Sequence, residues 1–157
     1  MSSTTDPSAV PDGPRAPRIR RKKPAKALFA STTLLLEAFV VLFATLVAYG
    51  LRQVPGTRDA WAGWAGVPST TAIWVAGGTL ALVLVVLSRA VSAPGGYLAG
   101  SIVQVPVLAS GIVVPMMFVV GGLFVVLWIV SLRLGGRIDR ERAEYDRSHP
   151  ETAPNVG

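Results

Sequence analysis

No cysteine occurs in the 157 residues. That excludes disulfides, thiolate metal ligands, cysteine nucleophiles and S-acylation. Histidine is nearly absent too: the single His149 stands beside Pro150 in a polar tail. A lone imidazole cannot build a metal cage, so no metal or cofactor is expected. Also missing are a GxxxxGK[ST] phosphate loop and any nucleophile paired with a base. These absences argue against an enzyme.

Charge is scarce and segregated. Charged residues make up 15% of the chain against 51% hydrophobic, and the mean hydropathy is +0.51. Thirteen of the fifteen Lys and Arg lie before Ala27, at Arg89 or after Leu132; the other two are Arg52 and Arg58. A net charge of +6 on a soluble domain would suggest nucleic acid. Here the basic residues flank apolar blocks and lack an aromatic platform, so the expected partner is a lipid bilayer with anionic headgroups, and no nucleic acid.

What the chain does have is apolar length. The expected fold is all-α: a polytopic membrane protein with four transmembrane helices. Residues 1–26 read as a disordered basic arm, because Pro7, Pro11, Pro14, Pro17 and Pro24 block regular structure and little apolar surface is present. The arm ends in the polybasic run Arg18–Lys26, a topology signal that also suits anionic headgroups. The first apolar block is too long for a signal peptide core and is expected to remain as a helix.

The membrane domain is assigned to 27–134, with spans at about 27–51, 69–87, 97–113 and 116–134. The first reaches about 37 Å at about 1.5 Å per residue, enough for a hydrocarbon core of about 30 Å. The uncharged run Tyr97–Leu132 would reach about 54 Å as one helix, so it must hold two spans. Pro115 is the best turning point, because proline disfavours helix at the residue before it. Pro106 should kink the third span. The connection 52–68 carries the turn signal Pro55-Gly56 and then Trp61 and Trp64. With Tyr49 and Trp74 these are read as interface aromatics; an aromatic substrate box is the alternative. Residues 135–157 form a charged tail, with Asp139 and Arg142, and Arg140 and Glu144, at helical spacing in a short exposed helix.

Four spans put both termini on one side. The arm, the Arg89 turn and the tail carry the basic excess, so both termini should be cytoplasmic.

Glu37 is the one acidic residue inside an apolar block. A charge near a helix centre costs about 2.5–3.5 kcal/mol, so a neutral, hydrogen-bonded carboxyl is expected. Thr33, Glu37, Ala44 and Ala48 form a small and polar stripe on the first span. Gly96, Gly100, Gln104 and Gly111 do so on the third. Spans one and three are therefore expected to pack closely, with Glu37 bonded to Gln104. The pair either holds the bundle together or lines a path for a proton or polar ligand.

Three segments carry a resemblance: Leu34-Leu-Leu-Glu-Ala-Phe-Val-Val41, Gly100-Ser-Ile-Val-Gln104 and Ser110-Gly-Ile-Val-Val-Pro-Met-Met-Phe118. They resemble the small actinobacterial membrane proteins of the domain of unknown function 4233, over roughly residues 27–137. The resemblance implies four membrane helices, a bacterial inner membrane and no established activity. The functional expectation is an accessory or scaffold protein that packs with itself or with a larger membrane partner. The alternative is a small oligomeric transporter using Glu37 for proton or substrate coupling.

Overall fold

The computed structural model describes residues 23–56 and 68–152. The arm as far as Lys22, together with Trp61 and Trp64, lies outside the described residues. The fold is all-α. Helix α1 spans Ala25–Gln53 and α2 spans Thr70–Ala90. Short helices α3 (Gly96–Ile102) and α4 (Gln104–Ala109) follow, then a 3-10 turn at Ser110–Ile112. Helix α5 spans Met116–Ser148, and a last 3-10 turn covers Pro150–Thr152.

Local chemistry sets these boundaries. Ser69 starts α2: its hydroxyl accepts the Ala72 N–H at 3.1 Å, satisfying a first-turn donor. Gly95 turns the chain into α3 with φ at 81°, a conformation only glycine adopts cheaply. α3, α4 and the 3-10 turn form one bent rod. Val103 N still reaches Ala99 O at 3.0 Å, but Val107 N to Val103 O stretches to 3.4 Å. Pro106 is the cause, since it has no N–H to offer the Ile102 carbonyl and its ring crowds the preceding turn. Pro115 then caps a tight turn into α5, where Met117 N bonds Val114 O at 2.8 Å.

Helices α1, α2 and α5 are long and apolar enough to cross a membrane. The bent rod, Gly96–Ile112, is shorter; at about 1.5 Å per residue it reaches about 25 Å. α1 is central and packs chiefly on α2 and α5, while the bent rod lies mainly on α5. Leu34, Leu84, Val107, Met117 and Trp128 fill the interior. Outside is a girdle of large apolar side chains, with Phe43, Leu82 and Val119 each more than half exposed. In water such a surface would aggregate; against lipid tails it has no cost. Gly77 lets α1 and α2 meet closely, because a Cβ there would collide with Thr45.

One boundary and one contact differ from the sequence reading. α5 does not stop near Leu134. It runs unbroken through Gly135 and Gly136 to Ser148, about 50 Å in all. Glycine disfavours helix by only about 1 kcal/mol, and a tertiary contact outweighs that here. A Cβ on Gly135 would collide with the backbone of Lys26, so the glycine is where α1 and α5 touch. The second difference follows from this contact. The charged segment is helical and mostly exposed as far as Ser148, as its spacing suggested, but Asp139 faces α1 and not Arg142. Its carboxylate accepts the Ala25 N–H at 2.6 Å and the Lys26 N–H at 3.0 Å. Pro24 gives α1 no side-chain cap, so Asp139 supplies one from the other end of the chain. The ion pairs of the extension form at Arg137–Glu141, 2.7 Å, and Glu144–Arg147, 3.1 Å. The start of α1 and the α5 extension therefore lie at the same end of the bundle.

Candidate functional site

Glu37 lies midway along α1 and is fully enclosed, and Gln104 opens α4 at 5% exposure. Gln104 Nε2 donates to Glu37 Oε2 at 2.8 Å. The break at Val103 starts a new helical segment at Gln104, next to the buried Val103 and Val107. Two atoms of the pair remain: Glu37 Oε1 and Gln104 Oε1 are buried with no hydrogen-bond partner among the described residues. If the carboxyl were ionised, both would be acceptors and each would stay unsatisfied. A proton on Glu37 turns one of them into a donor, which is the cheaper state for a buried pair.

The pair belongs to a polar seam among α1, the bent rod and α5. Toward the start of α1, Thr33 Oγ1 and Ser131 Oγ are 2.8 Å apart. Trp128 Nε1 donates to Ser101 Oγ at 3.1 Å, and Ser101 Oγ donates to Tyr97 O at 2.9 Å. Toward the end with the Asp139 cap, the Lys26 ammonium lies over the Tyr97 ring at 4.3 Å, a cation–π contact. Each hydroxyl in the seam satisfies a neighbour, so these groups stabilise the bundle and do not present unused donors.

The small residues of the third span do not meet α1 as the paired stripes suggested. A Cβ on Gly100 would stand 2.5 Å from Trp128 Cη2, and one on Gly111 would stand 2.6 Å from Phe118 Cγ. Both aromatics are on α5. Gly96 abuts the carbonyls of Ala90 and Val91 in its own turn. Ala44 and Ala48 line a groove between α1, α2 and the bent rod. The physical reason is the Pro106 bend, which swings the rod onto α5 and leaves Gln104 to reach α1. Tyr49 and Trp74 pack in a tilted arrangement, with ring centroids 5.7 Å apart and planes at 53°.

Sequence reasoning missed Ser101, Trp128, Ser131 and Asp139. Ser131 and Trp128 are three apart on one helix, which is a weak signal of a polar face. Asp139 carries no local signal, because its partners are 113 and 114 residues away. The groove itself has a volume of about 740 Å³, and its lining does not include Glu37.

Among the described residues, three membrane-length apolar helices, an outward apolar girdle and a buried polar seam point to a helical membrane protein. The chain belongs to the family described as protein of unknown function (DUF4233), whose model matches residues 28–144. No curated protein and no solved structure matches it.

Proposed function

We propose that this chain is a small accessory or scaffold protein of a bacterial inner membrane, packing with itself or with a larger membrane partner. Four rods cross or enter the bilayer, with both termini in the cytoplasm. The basic arm and the Arg-rich end of α5 account for that orientation through the positive-inside bias. The observation that carries the scaffold reading is the enclosure of Glu37, which is 0% exposed and bonded to Gln104. A coupling carboxylate must meet water or substrate in turn. This one is walled by packed helices and serves as a clasp between α1 and the bent rod.

The test compares two readouts on the full chain. Purification from native membranes in mild detergent should yield a self-associated complex or a stoichiometric membrane partner. The same protein in proteoliposomes should carry no proton-driven flux. A flux that depends on a proton gradient and disappears in Glu37→Gln would replace the scaffold reading with the oligomeric transporter. Orientation is tested in the same background. Single cysteines introduced at Ser148 and at Gln53 should react from the cytoplasmic and the outer side respectively, since the native chain has no thiol.

A further inference from the structure

We propose that the groove between α1, α2 and the bent rod binds one acyl chain of an anionic phospholipid, with the Arg52 guanidinium at its mouth beside the phosphate. The inference is independent of the scaffold reading; it requires only that the apolar helices sit in lipid.

The groove exists because α2 follows α1 but meets the third rod chiefly at α3, while Pro106 bends the rod toward α5. Ala48 and Thr45 contribute to its α1 side, Ala72, Thr79 and Val83 to its α2 side, and Pro106 to the third. Its volume of about 740 Å³ is in the range of ligand sites, roughly 300–1,000 Å³. Three hydroxyls reach the lining, Thr45, Thr79 and Ser110. Thr45 donates to Val41 O at 2.7 Å and Ser110 to Val107 O at 2.6 Å, so these two are turned back to their own helices. With Thr79 as the one remaining hydroxyl in an otherwise apolar lining, the surface suits hydrocarbon.

Depth selects the occupant. Along α2 the lining runs from Ala72 to Val83, about 16 Å of helix rise. That is one leaflet, since the whole hydrocarbon core is about 30 Å. A packed helix of a second copy would call for the full thickness; an acyl chain needs half. Charge selects the headgroup. Pro68 lies on the groove rim, and the Arg52 guanidinium donates to the Pro68 carbonyl. A guanidinium carries five donors and serves several acceptors at once, phosphate oxygens among them. The cation therefore stands where the glycerophosphate of a chain in the groove would emerge.

The experiment uses the full chain in nanodiscs holding phosphatidylglycerol or phosphatidylcholine with a photoactivatable acyl chain, and maps the crosslinks by peptide mass spectrometry. Phosphatidylglycerol should label the peptides containing Ala72–Val83 and Pro106–Val113 well above the exposed girdle at Val119 and Val126. Ala76→Trp, at an exposed position on the groove wall, should remove most of that labelling, and Val119→Trp should not. Arg52→Gln should lower the preference for phosphatidylglycerol over phosphatidylcholine by about fivefold, the ratio that one basic residue contributes near an anionic surface. Thr79→Leu is the milder filler if Ala76→Trp does not fold. Uniform labelling around the girdle, or labelling unchanged by either filler, would overturn the proposal.

Discussion

The backbones of Gly135 and Lys26 are so close that no methyl group fits between them: a Cβ on Gly135 would stand 2.8 Å from the Lys26 nitrogen and nearer still to its Cα. Neither partner can yield, because both sides are helical backbone. Gly135→Ala should therefore push α1 away from α5 and cost about 1–3 kcal/mol, as overpacking does. The adjacent Gly136 is the control. Its nearest neighbour would be Lys26 Cδ at 4.0 Å, and Gly136→Ala should gain up to about 1 kcal/mol from helix propensity alone. Denaturant unfolding of the two variants in one detergent reads the signs, which should be opposite. Equal effects would mean the contact is not tight.

The cap on α1 makes a second prediction. Asp139→Ala leaves the Ala25 and Lys26 N–H groups without their acceptor and should cost about 1 kcal/mol, within the 0.5–2 range of lost helix caps. Amide exchange at those two positions should quicken more than at mid-helix. Glu141→Ala removes an ion pair of comparable length, but its side chains are 72% and 61% exposed, and pairs of that kind contribute only about 0–1 kcal/mol. If Glu141→Ala destabilised as much as Asp139→Ala, the cap would lose its special place.

These two contacts mark where the sequence could be read and where it could not. The apolar lengths name α1, α2 and α5, because membrane thickness acts locally on each helix. Pro106 and Pro115 announce a bend and a turn, since proline acts on its own backbone. Glu37 and Gln104 stand out because polar side chains are rare in apolar spans, and the structure sets their side chains 2.8 Å apart. Gly135-Gly136 looks like a helix end when read locally, yet a glycine can also mark a close approach, and only the partner decides which. The same ambiguity affects Gly100. Small size permits contact with any neighbour and does not say whether that neighbour is on α1 or α5. The Asp139 cap is further out of reach, because nothing near Pro24 indicates a carboxylate from the opposite end of the chain.

Gly100 supplies a third prediction, built on its partner. Trp128 is 3% exposed and its ring edge fills the space over Gly100. Gly100→Ala should cost about 1–3 kcal/mol and should alter Trp128 fluorescence, since the indole must move off Ser101. In a Trp128→Phe background the smaller ring makes room. The alanine should then cost less, giving a coupling of about 0.5–3 kcal/mol in a double-mutant cycle. Strict additivity would show that the two residues do not touch.

The Glu37–Gln104 pair is tested by what each substitution leaves behind. With a neutral carboxyl, Glu37→Gln replaces an acid by an amide of nearly the same shape. Two facing amides can still exchange a donor and an acceptor, so the change should cost less than about 1 kcal/mol. Glu37→Leu removes the acceptor and strands the Gln104 amide in a buried site, which should cost about 1–3 kcal/mol. Adding Gln104→Leu removes the stranded group and should recover part of that loss. The coupling from the cycle should lie near 0.6 and below about 2 kcal/mol, the range for polar pairs between membrane helices. An infrared carbonyl band of a protonated acid, absent in Glu37→Gln, would mark the neutral form directly. If Glu37→Gln instead cost as much as Glu37→Leu, the wild-type pair would depend on an ionised carboxylate. The clasp would then have to be replaced by a site that holds a charge inside the membrane.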